Sequence, residues 1–269
     1  FEQPLWDGGP PEWRTILLHA EQGLGDCLQF IRYAPLVAAK GAKVVVECPA
    51  PLVGLLKGCA GVSQVVARGA PLPQFSLHAP LMSLPGLLDT RGDNIPADIP
   101  YLNARESAPV ELKAALESAA PEGKKIGVVW AGNPEHENDH NRSCDAGCFA
   151  PLAERSDVSL YSLQKDAGPG ALEQLPQAVD LAPFLNDFCA TAFAVSRLDL
   201  IITVDTALAH LAGALGRPVW LLLPHAPEWR WQLERDDSLW YPTMRLFRQS
   251  QPGDWDGVFQ RLSQALTAL

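Results

Sequence analysis

The chain has 269 residues, 47% hydrophobic and 19% charged, with a formal net charge of −10. That length and composition suit one large or two ordinary globular domains with a sizeable core. The acidic balance argues against nucleic acid or an anionic membrane surface as the main partner, and no apolar run reaches the roughly 18 residues that suggest a transmembrane segment. No signal peptide is visible. The chain opens on Phe1 rather than Met, as expected of a fragment, and residues 1–11, rich in Pro and Gly, read as a linker. The cysteines at 27, 48, 59, 144, 148 and 189 offer one close pair and no second pair to complete a zinc knuckle. They are expected to be reduced thiols of a cytoplasmic protein.

Residues 15–19 (TILLH) form an apolar run that ends at a glycine loop. From Asp26 a loosely helical pattern runs to Gly41, and KVVVEC at 43–48 is a β-branched strand. A short helix at 51–56 and strands at 64–67 and 75–78 follow, then Pro-rich turns over 69–100. After a helix at 110–120 a second alternating series begins. Its strands are 125–130, 158–163, 198–204 and 218–223. Its helices are 149–155, one within 184–196, 206–215 and a closing helix at 255–269. Alternation of this kind predicts α/β architecture with parallel sheets, in two Rossmann-like halves divided near 104–123. Ligands of such folds sit at the carboxyl ends of strands. The loops of interest are therefore 19–26, 130–143, 163–170, 204–207 and 223–232.

The first loop, with Gln22, Gly23, Gly25 and Asp26, resembles half a dinucleotide fingerprint. Leu28 stands where the third glycine belongs, so Glu47, at the distance of a ribose-binding acid, carries little weight. Two readings of Asp26 stand together. With Gln29 three residues on, it has the form of a helix N-cap. At the mouth of a cleft, the same carboxylate suits removal of a proton from an acceptor hydroxyl. Asp205-Thr206-Ala207 follows the strongest strand and opens the clearest helix, with His210 one turn in. Free N–H groups there suit a diphosphate, while the bland alternative is a cap above a core histidine. Asn133 and Arg142 lie in a polar loop after another strand, where the arginine suits a diphosphate. Gln164 and Lys165 are candidates by position only. Trp229 and Trp231 fit either stacking on a base or sugar, or core packing. His136-Glu137-x-x-His140 matches a zinc-protease pattern, but Gly132, Pro134 and Asn141 around it deny it a helix. Asp236-Asp237 is not a D-x-D metal motif, and no metal is expected.

The segments AEQGLGDCLQFIRYAPL, VVWAGNPEHENDHNRS, SLQK, VDTALAHLAGALGRPVWLLLP and WRW…WYPTMRLFRQ together resemble the heptosyltransferase-like (family 9) glycosyltransferases. The closer likeness is to the bacterial subgroup in which this domain follows tetratricopeptide repeats. The resemblance implies a GT-B fold: an acceptor-side domain over 1–104 and a nucleotide-sugar domain over 105–269, with the last helix packing back on the first. It implies Asp26 as catalytic base, and a donor diphosphate at Asp205, Thr206, His210 and Leu211. Ala207 replaces the family's usual glycine. The family's loop lysine has Arg142 as its nearest counterpart. The N-terminal half is shorter than in lipopolysaccharide heptosyltransferases.

The expected activity is transfer of a sugar from a nucleotide-activated donor to an acceptor hydroxyl on a protein or saccharide. The nucleotide sugar is the substrate and no cofactor is expected. A domain that binds a sugar nucleotide or a partner without turnover is the alternative, and a dehydrogenase or epimerase is a third reading that the missing glycine opposes.

Overall fold

A computed structural model of the chain describes residues 1–118, 123–166, 168 and 170–267. Four parallel strands, β1 (Thr15–His19), β2 (Lys43–Cys48), β3 (Val62–Ala67) and β4 (Leu77–Pro80), form the first sheet in the order β3-β2-β1-β4. Helices α1 (Leu24–Phe30), α2 (Ala34–Ala39), α3 (Val53–Leu56) and α4 (Leu84–Leu87) belong to this half. Period-2 alternation sends Ile16, Leu18, Val44 and Val46 to one face and Leu17 and Val45 to the other. The first set enters the main core. On the other face Leu72 and Phe75, from a loop, pack against Leu17, Val45 and Val66.

After α5 (Val110–Glu117) the second sheet is built from β5 (Lys124–Val129), β6 (Val158–Ser162), β7 (Val179–Asp180), β8 (Leu200–Val204), β9 (Val219–Leu223) and β10 (Met244–Arg248). All pairings are parallel, in the order β10-β9-β8-β5-β6-β7, which is the doubly wound order. Its helices are α6 (Asp139–Arg142), α7 (Ala150–Ala153), α8 (Phe188–Ser196), α9 (Ala207–Ala214) and α10 (Trp255–Thr267). Every residue of β8 and β9 is buried, as a sheet covered on both faces requires.

Several local expectations are corrected. The first helical pattern is broken into α1, a 3₁₀ turn and α2, with Pro35 in the first turn of α2, where a missing N–H is tolerated. Residues 1–11 are not a free linker: Trp6 is buried and its N–H donates to His78 O at 2.8 Å, along the edge of β4. The closing helix was expected on the N-terminal domain. Instead Val258, Leu262 and Leu266 of α10 are buried in the core on the outer face of the second sheet, where Phe259 meets Phe149 edge-on. Strand β10 has no counterpart among the predicted elements. Ala119, Ala120, Pro121, Ala268 and Leu269, placed in helix or turn by the sequence reading, lie outside the described residues.

The two halves share one continuous core, with α1 against α9. Gly25 makes this approach possible: a Cβ there would lie 2.8 Å from His210 Cδ2 and 3.5 Å from Ala207 Cα. The glycine is needed for packing across the halves, whatever its loop binds. Gly25→Ala is therefore expected to destabilise the fold by about 1–3 kcal/mol through overpacking. A chemical-denaturation midpoint equal to wild type would refute this.

Candidate active site

In each sheet the strand order reverses at one place: between β1 and β4 in the first, and between β5 and β8 in the second. A crevice opens beyond the carboxyl ends of strands at such a point. The loop after β1 carries Asp26, the loop after β5 carries Arg142, and the turn after β8 is Asp205-Thr206. The fold brings all three into one cluster.

On the second domain, the cap expected at the Asp205-Thr206 turn is Thr206, and its Oγ1 accepts from the N–H of Leu208 at 3.3 Å. Asp205 Oδ2 accepts from Trp231 Nε1 at 2.8 Å, and Asp205 O accepts from Arg142 Nη1 at 3.1 Å. Burial pushes the Asp205 carboxyl up, against the opposing pull of Trp231, Arg230 and Arg142. Arg142 Nε donates to Asp139 Oδ1 at 3.1 Å. Gly132 makes room for that pair, since a Cβ there would lie 2.5 Å from both Arg142 Nη2 and Asp139 Oδ1.

On the first domain, Asp26 is at the third position of α1, not its N-cap. Gly23 is the N-cap, and its N–H donates back to Asp26 Oδ2 at 3.0 Å. The carboxylate thus still satisfies the helix start, from inside the first turn. Gln29, the proposed partner of a box, is buried within the helix. Gln22 is exposed in the loop.

A charged side chain that reaches across the two domains at this cluster is Arg230, which sequence reasoning missed. It is 8% exposed, with Nη2 2.8 Å from Asp26 Oδ1 and Nη1 3.1 Å from Glu228 Oε2. Its guanidinium carbon lies 5.2 Å from the centroid of Trp229, which is largely exposed. Its other neighbour, Trp231, is buried and stacks on His210 at 5.5 Å, so the core reading holds for that tryptophan.

The remaining candidates have structural partners. His210 shares a 2.9 Å hydrogen bond with Tyr241 through Nδ1 and is buried; burial, then Arg230 and Arg32, pushes its pKa well below the ordinary value. It is a neutral core histidine wedged behind the cleft. Gln164 is not turned to a ligand: Oε1 accepts from Trp130 and Ala131 N–H, and Nε2 donates to Ala131 O and Lys165 O. Lys165 Nζ donates to Ala182 O at 3.1 Å. Asn133 is exposed and accepts from Glu135 N–H at 3.0 Å, shaping its loop. His136 precedes α6 and His140 lies in it, so the pair does not share a helix face as the zinc motif demands. Among the described residues no group of three or more His, Cys, Asp or Glu side chains is arranged to hold a metal ion.

A half-buried histidine, His19, and a buried one, His210, give the fold a pH dependence. Burial, followed by the charge of His78, lowers His19 from 6.5 to about 4, and His210 is shifted in the same direction. The unfolded chain takes protons at these sites near pH 6.5 while the folded chain resists. Stability must then fall as pH falls from about 6.5 toward about 4. After solvent screening the loss from these two sites is expected to be about 1–2 kcal/mol, read as a shift in urea midpoint. His210→Gln is expected to flatten the profile; an unchanged slope would contradict the assignment.

Residues 154–231 match the model of Glycosyltransferase family 9 (heptosyltransferase). Protein FlbA of Caulobacter vibrioides is 27% identical over an alignment of 290 positions, covering 97% of this chain and 48% of that protein. The chain thus spans about half the length of this curated relative. Among solved structures, the family 9 glycosyl transferase from Veillonella parvula superposes with a TM-score of 0.65 at 11% identity, covering 95% of this chain and 97% of the other. The ADP-heptose lipopolysaccharide heptosyltransferase II of Escherichia coli gives 0.60 at 15% identity, with 94% and 99% covered. The chain therefore has the α/β GT-B fold of these glycosyltransferases. No described helix is long and apolar enough to cross a membrane.

Proposed function

We propose that this chain is a glycosyltransferase domain that moves a sugar from a nucleotide-activated donor to an acceptor hydroxyl. The observation that carries this reading is the meeting of the two switch points: a carboxylate from one and an arginine-flanked helix start from the other share one cluster. The donor diphosphate lies at the first turn of α9, facing its unpaired N–H groups and Arg142. The acceptor enters from the first domain. Its oxygen forms a bond to the anomeric carbon as the bond from that carbon to the diphosphate oxygen breaks, and Asp26 takes the hydroxyl proton. Charge accumulating on the leaving diphosphate meets fixed N–H dipoles and guanidinium groups, so this reading requires no metal ion. The acceptor is a protein or a saccharide, and tetratricopeptide repeats precede the domain in the full protein. Six free cysteines fit a reducing compartment such as the cytoplasm.

A thermal-shift screen against UDP, GDP, ADP and CMP and their sugars tests the reading. One nucleotide is expected to stabilise selectively, by about 2.7 kcal/mol at a hundredfold excess over its Kd. A flat response to all of them would overturn it.

A further inference from the structure

We propose that Arg230 is a positioning residue that masks Asp26 until the donor diphosphate draws its guanidinium away; this rests on the glycosyltransferase reading above. Both oxygens of Asp26 are engaged: Oδ1 by Arg230 at 2.8 Å and Oδ2 by the Gly23 N–H at 3.0 Å. The Gly23 contact is local to α1 and holds the carboxylate in place. The Arg230 contact comes from the other domain and occupies the carboxylate oxygen that is not committed to the start of α1.

Arg230 is also next to the proposed phosphate site. The adjacent Trp231 is bonded to Asp205, the residue before the cap of α9. Arg230 thus stands between the acid of one domain and the anion-binding turn of the other. Its hold on Asp26 is incomplete, because Nε is buried without a partner. Leaving a buried donor unmade is costly, so a competing anion faces a network with a donor to spare. A diphosphate offers several acceptor oxygens in the geometry a guanidinium prefers. When it binds, Arg230 turns to it and Asp26 Oδ1 is freed for the acceptor. Donor binding then precedes productive acceptor binding, and the base is masked again when the nucleoside diphosphate leaves.

A double-mutant cycle on nucleoside diphosphate binding, read by calorimetry, tests this without any acceptor. Asp26→Asn removes one of the two carboxylates that hold Arg230, leaving Glu228 in place. It is expected to tighten binding of the nucleotide found in the screen by about 3- to 10-fold, the order of one charge-assisted hydrogen bond released. Arg230→Gln is expected to weaken binding by about 10- to 100-fold, and in that background Asp26→Asn should have no effect. Equal tightening in both backgrounds would show only the removal of a negative charge and would overturn the proposal. So would wild-type affinity in Arg230→Gln. If Arg230→Gln does not fold, Arg230→Lys serves: it keeps the charge but loses the fork, and a tightening by Asp26→Asn as large as in wild type would count against the proposal. Failure of every nucleotide to bind wild type would instead remove the glycosyltransferase reading beneath it.

Discussion

Asp26→Asn is expected to lower the turnover of sugar transfer by about 10²- to 10⁴-fold, the range typical of a lost general base. The readout is release of nucleoside diphosphate from the donor, with the acceptor or, more slowly, with water. Nucleotide binding is expected to survive the change, because the proposed donor site is built from the second domain. The amide keeps the size of the carboxylate and still offers an oxygen to the Gly23 N–H, so the helix start is preserved. A loss confined to turnover distinguishes a base from a structural cap. A cap alone would cost stability on the order of 1 kcal/mol and leave the rate of the folded enzyme alone. Full activity in Asp26→Asn would end the assignment.

Arg32→Met should be the most destabilising single change at the domain junction. Arg32 is 4% exposed and its guanidinium donates to Gln29 O at 2.8 Å, Trp240 O at 2.7 Å, Pro96 O at 3.2 Å and Tyr101 Oη at 2.9 Å. It also sits 4.6 Å from the ring centroids of both Tyr101 and Tyr241. Among the described residues it forms no ion pair with a carboxylate, so carbonyl dipoles and π-faces offset its desolvation. Methionine fills much of the space but leaves several buried acceptors orphaned, at about 1–3 kcal/mol each before water relieves some of them. The expected loss is about 3–5 kcal/mol, or roughly 10 °C in Tm for a chain of this size. A loss below about 1 kcal/mol in denaturant would contradict this account of the junction. Because Tyr241 is also the partner of His210, the same change should loosen the wall behind Trp231 and Asp205.

What the sequence revealed follows from which signals are local. Strands β5, β8 and β9 were legible because they are buried over four residues of β5 and the whole of β8 and β9, and read as near-continuous apolar runs. The cap at Thr206 was legible because its partner is two residues away. Strand β10, with arginines at 245 and 248 and only Leu246 and Phe247 between them, gave no such run. The Asp26–Arg230 pair spans 204 residues, and no periodicity reports a contact at that separation. Gln164 was singled out because it ends a strand, yet its amide is shared among four backbone groups that brace the neighbouring loop. Asp26 shows the other kind of miss: residue type and region were right, but the helix begins two residues earlier, at Leu24, and the acid caps from inside.

The most direct measurement is the position of the diphosphate in a crystal of the domain with the nucleotide selected by the screen. The account predicts phosphate oxygens at the first turn of α9, within hydrogen-bond reach of Arg142 and the N–H groups of Thr206 and Ala207, with Arg230 turned away from Asp26. A diphosphate bound outside the crevice between β5 and β8, or bound there with Arg230 still clamped on Asp26, would contradict it.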